Sequence, residues 1–178
     1  MTWIGGIFSK VNTSQEELRK KLTLMIETAC PTNECSAIAC TRCISSILDD
    51  VHGQALVQVS IPTEGMPSEH VCMNYREKPA LIYDGHLYGF KNMGSKLSRI
   101  QHIANKPAAE SLAHLLAEHP GDLEQRVKRA LLGLDGDYAL AISDLDRIVI
   151  SRNSSGTRPL YFAGNTALLA FASNKKPL

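Results

Sequence analysis

The last third of the chain, residues 133–178, reads GLDGDYALAISDLDRIVISRNSSGTRPLYFAGNTALLAFASNKKPL. Strand-forming residues occur in four short segments of this stretch, at residues 138–143, 148–150, 160–163 and 167–172. Turn-forming residues separate the first two segments and the last two, at residues 144–146 and 164–165. The pattern predicts an antiparallel meander in which residues 152–160 form the central loop.

Three parts of this stretch carry a resemblance to a known family. They are Gly-Asp-Tyr-Ala-Leu-Ala-Ile at residues 136–142, Ile-Ser-Arg-Asn-x-x-Gly-Thr-Arg-Pro-Leu-Tyr-Phe at residues 150–162, and Phe-Ala-Ser-Asn-Lys-Lys-Pro-Leu at residues 171–178. In order and spacing they resemble the end of the class II glutamine amidotransferase domain. That domain heads asparagine synthetase and phosphoribosylpyrophosphate amidotransferase, and it belongs to the N-terminal-nucleophile hydrolases. The resemblance implies an α+β fold, a four-layer αββα sandwich of antiparallel sheets.

The overall composition is that of an ordinary globular domain. With 178 residues, the chain can bury about 70% of its unfolded surface, so we expect one domain over residues 1–178. The 19 basic and 18 acidic residues leave a net charge of +1, which gives no electrostatic reason to bind nucleic acid or an anionic membrane. No apolar run reaches the roughly 18 residues of a membrane span, and the N-terminus lacks a signal-peptide pattern. We therefore expect a cytoplasmic protein.

Helix and strand patterns elsewhere agree with this fold. Ser14 and Glu17 form a capping box before a predicted helix at residues 15–29, and Pro31 ends that helix. Further strands are predicted within residues 36–47 and 55–61 and at residues 80–83, and further helices at residues 109–119 and after Asp122.

The first eight residues predict a short strand and contain a candidate nucleophile. They line up with the family's Met-Cys-Gly-Ile-x-Gly-Ile-Phe, and Thr2 stands where the family has its nucleophilic cysteine. An N-terminal nucleophile uses its own α-amino group as the general base, and that amine has a pKa of roughly 7.7 to 8.0. Thr2 is small enough for Met1 to be removed, so it is a candidate nucleophile. The alternative is that Thr2 is only the second residue of an edge strand.

Three other positions are as important as Thr2 for glutamine hydrolysis in the family. Near residue 30 the family has an arginine that clamps the glutamine carboxylate, whereas residues 29–33 read Ala-Cys-Pro-Thr-Asn and contain no cation. The family's oxyanion-hole Asn-Gly becomes Asp84 and Gly85; a carboxylate only accepts hydrogen bonds, while Gly85 retains a backbone N–H. Aligning Glu110 with the family's helix-opening glutamate puts Ala108 at the aspartate that receives the substrate ammonium.

The cysteines offer a second kind of site. Cys35, Cys40, Cys43 and Cys72 have the C-x₄-C-x₂-C…C spacing of a plant-type 2Fe-2S ferredoxin loop. Zinc is a weaker alternative, with Cys30 nearby, because the chain has only one C-x₂-C pair. Small buried residues without a cofactor are the third interpretation, and we favour it.

Other residues that can carry chemistry are given structural roles. His86, His102, His114 and His119 invite a catalytic or metal-binding interpretation, but His114 and His119 do not share a helical face, and we expect exposed helix histidines. Arg152 and Arg158 flank a Ser-Ser-Gly turn, for which we expect an architectural role.

Three hypotheses about function follow. The first is an amidotransferase-like domain that has lost glutaminase activity and acts as a binding, regulatory or structural subunit. The second is an active amidohydrolase or amidotransferase that uses Thr2, and the third is a subunit that binds an iron-sulfur cluster or a metal. The family joins this domain to synthetase or transferase domains, so the resemblance implies a partner chain or domain of that type.

Overall fold

The computed structural model describes residues 2–29, 43–49, 52–60, 79–88, 108–132, 134–144 and 147–178. These residues form three helices and eight strands in two units, Met1–Ser68 with Pro159–Leu178, and Glu69–Arg158. In chain order the elements are β1 (Thr2–Ser9), α1 (Gln15–Ala29), β2 (Cys43–Asp49), β3 (Gln54–Ser60), β4 (Ala80–Tyr88), α2 (Ala108–Glu118), α3 (Leu123–Leu131), β5 (Asp135–Ser143), β6 (Ile148–Arg152), β7 (Tyr161–Gly164) and β8 (Leu168–Ala172). None of the helices within these ranges is long and apolar enough to cross a bilayer.

The first unit is a five-stranded antiparallel sheet with one helix packed on it. The strand order is β2-β3-β1-β8-β7, so β1 pairs with β3 on one side and with β8 on the other. Helix α1 buries its apolar stripe on one face of this sheet. The core between them consists of Trp3, Ile7, Leu18, Leu22, Met25, Ala55, Val57, Val59 and Ala172. The predicted edge position of Thr2 is therefore wrong, because β1 lies in the interior of the sheet.

Two glycines in β1 make room for two aromatic rings. A Cβ on Gly5 would lie 2.7 Å from Cη2 of Trp3, and a Cβ on Gly6 would lie 2.6 Å from the ring of Phe171. Neighbouring residues of a strand point to opposite faces, so Trp3 covers the strand on the α1 face and Phe171 covers it on the other. The glycine pair therefore allows aromatic rings and neighbouring backbone to approach β1 closely.

The second unit is a three-stranded antiparallel sheet, with β5 between β4 and β6. Helices α2 and α3 bury their apolar faces against it. The Asp122 carboxylate caps α3 by accepting a hydrogen bond of 2.9 Å from the Gln125 N–H. The core of this unit consists of Leu81, Tyr83, Ala109, Leu112, Leu115, Leu116, Leu123, Val127, Ala130, Leu134, Tyr138, Leu140 and Ile142.

The C-terminal strands are correctly predicted as strands, but they do not form one meander. Strands β5 and β6 form a hairpin of the second sheet, whereas β7 and β8 form a hairpin of the first sheet. The second hairpin joins the first sheet instead because β8 finds its partner in β1, with Phe171 opposite Gly6.

The predicted helices agree closely with the structure. Helix α1 spans residues 15–29 as predicted, and Ser14 Oγ accepts a hydrogen bond of 3.3 Å from the Glu17 N–H. The predicted helix at residues 109–119 is α2, one residue earlier at both ends. The predicted strand at residues 80–83 continues to Tyr88, so Asp84 and Gly85 lie inside β4 rather than beyond it.

Replacing Gly6 by alanine is expected to destabilise the protein. The added methyl group would overlap the Phe171 ring and lie 2.8 Å from the Ala55 carbonyl oxygen. Overpacking of this kind costs about 1–3 kcal/mol of the free energy of unfolding, which urea denaturation measures. The control is Leu24→Ala at an exposed site of α1, which should change that free energy by less than about 0.5 kcal/mol. Equal stabilities for the two variants would contradict the packing described for β1.

Candidate active site

Thr2 opens the central strand of the first unit. It lies opposite Ser60 of β3 and on the sheet face that points away from α1, because Trp3 and Ile7 take the α1 face. The Ser9 N–H bonds to the Gly53 carbonyl on the β3 side, while the Ile4 carbonyl accepts the Ser173 N–H on the β8 side. Since these directions alternate along a strand, the Thr2 nitrogen is directed to the β8 side. The β3 ladder therefore does not use that nitrogen.

Ser173 fixes the strand just after Thr2. Its hydroxyl oxygen accepts a hydrogen bond of 3.1 Å from the Ile4 N–H, and its own N–H donates to the Ile4 carbonyl at 2.9 Å. Both groups of Ile4 are thus held by one residue of the Ala-Ser-Asn element. This contact gives the C-terminal motif a physical role in positioning the first residues of β1.

Asp84 is a buried acidic residue with a nearby cation in the second unit. It is 5% exposed and lies on the sheet face opposite to the core formed with α2 and α3, since Leu81 and Tyr83 belong to that core. Arg158 Nη1 lies 3.6 Å from Asp84 Oδ1, within ion-pair range. The guanidinium thus compensates part of the cost of burying a carboxylate.

Gly85 has a backbone conformation that suits glycine alone. Its φ is +117°, and a Cβ there would collide with the Asp137 carbonyl oxygen of β5. Gly85 lies opposite Tyr138, whose carbonyl accepts the Asn153 N–H on the β6 side. Because the Tyr138 carbonyl is directed to β6, it does not accept the Gly85 N–H across the β4–β5 ladder.

The loop that carries Arg158 is tied to β5 by a chain of hydrogen bonds. The Asn153 N–H donates to the Tyr138 carbonyl at 3.0 Å, and the Asn153 side-chain amide donates to Thr157 Oγ1 at 2.8 Å. The Thr157 hydroxyl in turn donates to Asp137 Oδ1 at 2.6 Å. Gly156, with a φ of +64°, makes the turn between them. The predicted architectural role of this loop agrees with these bonds, and sequence reasoning missed only that Arg158 contacts Asp84.

Ala108 and the four candidate histidines do not lie on one element. Ala108 is the first residue of α2 and precedes Glu110 in the first turn. His114 Nε2 lies 3.6 Å from Glu110 Oε1, an acidic neighbour one helical turn away that the sequence prediction overlooked. His86 is exposed on β4, and His119 follows the end of α2 and is half-buried. His102 lies outside the described residues.

The proposed cysteine ligands are almost all outside the described residues. Cys30, Cys35, Cys40 and Cys72 lie outside them, and Cys43 is the first residue of β2. Among the residues that the structure describes, no three His, Cys, Asp or Glu side chains are grouped to hold a metal ion. The 2Fe-2S assignment stays a prediction.

Comparison with known proteins identifies the family. The glutamine amidotransferase domain family matches residues 59–178, about two thirds of the chain. The chain belongs to this family. A putative glutamine-hydrolysing asparagine synthetase of Methanocaldococcus jannaschii is 30% identical over 100 residues, which are 55% of this chain and 17% of that protein.

Solved structures confirm the predicted fold class of this amidotransferase domain. An allosteric regulatory enzyme of purine biosynthesis matches with a TM-score of 0.68 and 15% identity. Glutamine phosphoribosylpyrophosphate amidotransferase from B. subtilis matches with a TM-score of 0.63 and 14% identity. Each match covers 96% of this chain and 41% of the other. The domain therefore spans less than half the length of the proteins it resembles.

The Asp84–Arg158 pair of the amidotransferase domain is expected to contribute to stability. In Arg158→Gln the Asp84 carboxylate stays buried without its cation, which we expect to lower the free energy of unfolding by about 1–3 kcal/mol. The matched control is Arg152→Gln, at an exposed arginine of the same loop region. Urea denaturation at neutral pH measures both variants. Equal losses in the two variants would show that the pair contributes nothing.

Alkaline pH is expected to weaken the domain through Tyr138. Burial raises the pKa of its phenol above the usual value of 10.0, and the Asp135 carboxylate adds to this shift. The unfolded chain then loses the proton first, so the free energy of unfolding falls as the pH rises from about 10 through the folded-state pKa. Tyr138→Phe should reduce this pH dependence, whereas Tyr161→Phe, at an exposed tyrosine, should not. Urea denaturation across this pH range is the measurement, and identical slopes for the two variants would contradict the assignment.

Proposed function

We propose that this class II amidotransferase domain has lost glutaminase activity and acts as a binding, regulatory or structural subunit. The observation that carries the proposal is Asp84, a buried carboxylate beside Arg158, at the position aligned with the family's oxyanion-hole asparagine. A carboxylate only accepts hydrogen bonds, so it cannot donate one to a tetrahedral oxyanion. Losing one such donor reduces the rate by about 10²- to 10³-fold.

The ion pair between Asp84 and Arg158 changes the charge that an oxyanion would meet at this position. Arg158 offsets the negative charge of Asp84, so the site is less repulsive than an isolated carboxylate would make it. The neutralisation does not restore the amide donor, because the side chain at position 84 remains a carboxylate without an N–H. Gly85 keeps its N–H, so at most one of the two aligned donors is retained.

The other aligned positions support the same conclusion. The stretch Ala29 to Asn33 contains no arginine for the substrate carboxylate, and Ala108 has no carboxylate for the substrate ammonium. Free glutamine carries both charges, so each substitution removes an electrostatic contact with the substrate. Thr2 adds a third loss, because a hydroxyl is a weaker nucleophile than a thiol.

The competing hypothesis is an active hydrolase that uses Thr2. It is favoured by one observation, the orientation of the Thr2 nitrogen away from β3, which leaves a free amine available as general base after removal of Met1. An amine and a hydroxyl on one residue are not sufficient, because the substrate must also be held and its oxyanion stabilised.

A partner chain or domain of synthetase or transferase type belongs to the same proposal. The asparagine synthetase relative and the amidotransferase structures are much longer than the aligned domain. Their additional length motivates a partner that uses this domain as a docking or regulatory module. The small net charge of +1 gives no support to nucleic acid as that partner.

A glutaminase assay tests the proposal. Intact mass first establishes that Met1 has been removed, and glutamate release from glutamine is then measured for the processed protein and for Thr2→Ala. We expect the same background rate from both. We also expect Thr2→Cys to stay at background, because restoring the thiol does not restore the carboxylate clamp, the ammonium acceptor or the oxyanion amide.

Two outcomes would contradict it. Turnover by the processed protein that Thr2→Ala abolishes would establish the active-hydrolase hypothesis. Turnover gained in Thr2→Cys would show that only the nucleophile has been lost and that the rest of the site functions. Circular dichroism of each variant confirms that the fold is unchanged.

A further inference from the structure

The outer edge of the first sheet is a short, exposed and apolar strand. All four residues of β7, Tyr161–Gly164, are exposed, and Phe162 and Tyr161 are 70% and 42% exposed. Within the described residues, β7 pairs with β8 on one side and with no strand on the other. Large aromatic side chains at an unpaired edge are unusual, because such an edge is a template for another strand.

The unpaired backbone groups of β7 can be assigned from the ladder. The Asn165 N–H bonds to the Leu168 carbonyl at 2.8 Å, so Asn165 faces β8. Because the direction alternates along an antiparallel strand, Ala163 and Tyr161 also face β8. The N–H and carbonyl groups of Phe162 and Gly164 are therefore directed outward, to the open edge.

Charge does not protect this edge. Residues 159–166 read Pro-Leu-Tyr-Phe-Ala-Gly-Asn-Thr and contain no acidic or basic side chain. By contrast, β6 at the edge of the second sheet is bounded by Arg147 and Arg152. Natural sheets block unwanted pairing with charged edge residues, and β7 lacks that protection along its whole length.

We propose that β7 pairs with β7 of a second copy of this chain, antiparallel about a twofold axis perpendicular to the sheet. Such an axis leaves each side chain on the same face of the joined sheet. Side chains alternate between the faces along a strand, so a residue of one copy can lie opposite the same residue of the second copy, or opposite one that is an even number of positions away in the sequence. The register that pairs the outward groups of both Phe162 and Gly164 with those of the second copy is the one we propose. Phe162 lies opposite Gly164 of the second copy, and Ala163 lies opposite Ala163 of the second copy.

This register suits the side chains as well as the backbone. The reciprocal pairs between Phe162 and Gly164 use every outward N–H and carbonyl of the two residues, which makes four hydrogen bonds between the copies. Each exposed Phe162 ring covers a glycine of the other copy, an arrangement that compensates for glycine in a strand. The interface is self-complementary, as a twofold contact requires, and it joins two five-stranded sheets into one.

Sedimentation velocity of the purified full chain over a range of concentrations tests the proposal. We expect a reversible doubling of mass as the concentration rises. Phe162→Lys should weaken the association by about tenfold or more, because it removes the ring and places like charges on both copies. The matched control is Leu24→Lys, which adds the same charge at a similarly exposed apolar site of α1 and should leave the association unchanged.

Hydrogen exchange read by NMR locates the contact. The amides of Phe162 and Gly164 should exchange more slowly at high concentration, whereas the Ala163 amide is bonded to β8 and should be protected at every concentration. In Phe162→Lys the concentration dependence at Gly164 should disappear. Protection of Ala163 in that variant verifies that the hairpin of β7 and β8 has formed.

Three results would overturn the proposal. The first is a monomeric chain at every concentration, and the second is an association that Phe162→Lys and Leu24→Lys affect equally. The third is concentration-independent protection of the Phe162 and Gly164 amides, which would assign the edge to another segment of the same chain.

Discussion

The first unit depends on the close approach of two neighbouring strands and two aromatic rings to β1. Gly5 and Gly6 leave no side chain on either face, so the rings of Trp3 and Phe171 pack directly on the backbone. The same stretch pairs with both β3 and β8, which requires an uninterrupted ladder on each side. Ser173 then extends the contact toward the N-terminus by holding Ile4. The packing of the two rings, the two ladders of β1 and the position of Thr2 at its start thus all depend on a strand that has no bulky side chain at its centre.

In the second unit the corresponding constraint is electrostatic. Burying Asp84 in β4 requires a compensating charge, and Arg158 supplies it from the loop after β6. The loop can do this because Asn153, Thr157 and Asp137 tie it to β5. The loop after β6 therefore holds its arginine against the buried carboxylate of β4.

Several features followed from the sequence because short-range forces decide them. The capping box at Ser14 and the proline at position 31 predicted a helix at residues 15–29, and α1 has these bounds. Gly85 was predicted to be important from the family alignment, and its positive φ and the collision of any Cβ with Asp137 provide the physical reason. The order of the C-terminal motifs was sufficient to predict the family and the fold class. These features depend on residues close in the chain, or on motifs kept in a fixed order.

The sequence by itself thus determined the helices, the strands, the glycine positions and the membership of the family. Only the tertiary structure decided that the hairpin of β7 and β8 joins the sheet of β1, and that β1 is a central rather than an edge strand. It also decided that Arg158 reaches Asp84, and that Phe162 stands on a sheet edge that no strand of the described residues covers. Propensity and periodicity act over a few residues and specify that a strand forms. Its partner is decided by the edges, cavities and charges that distant parts of the chain present, and a linear pattern does not contain that information.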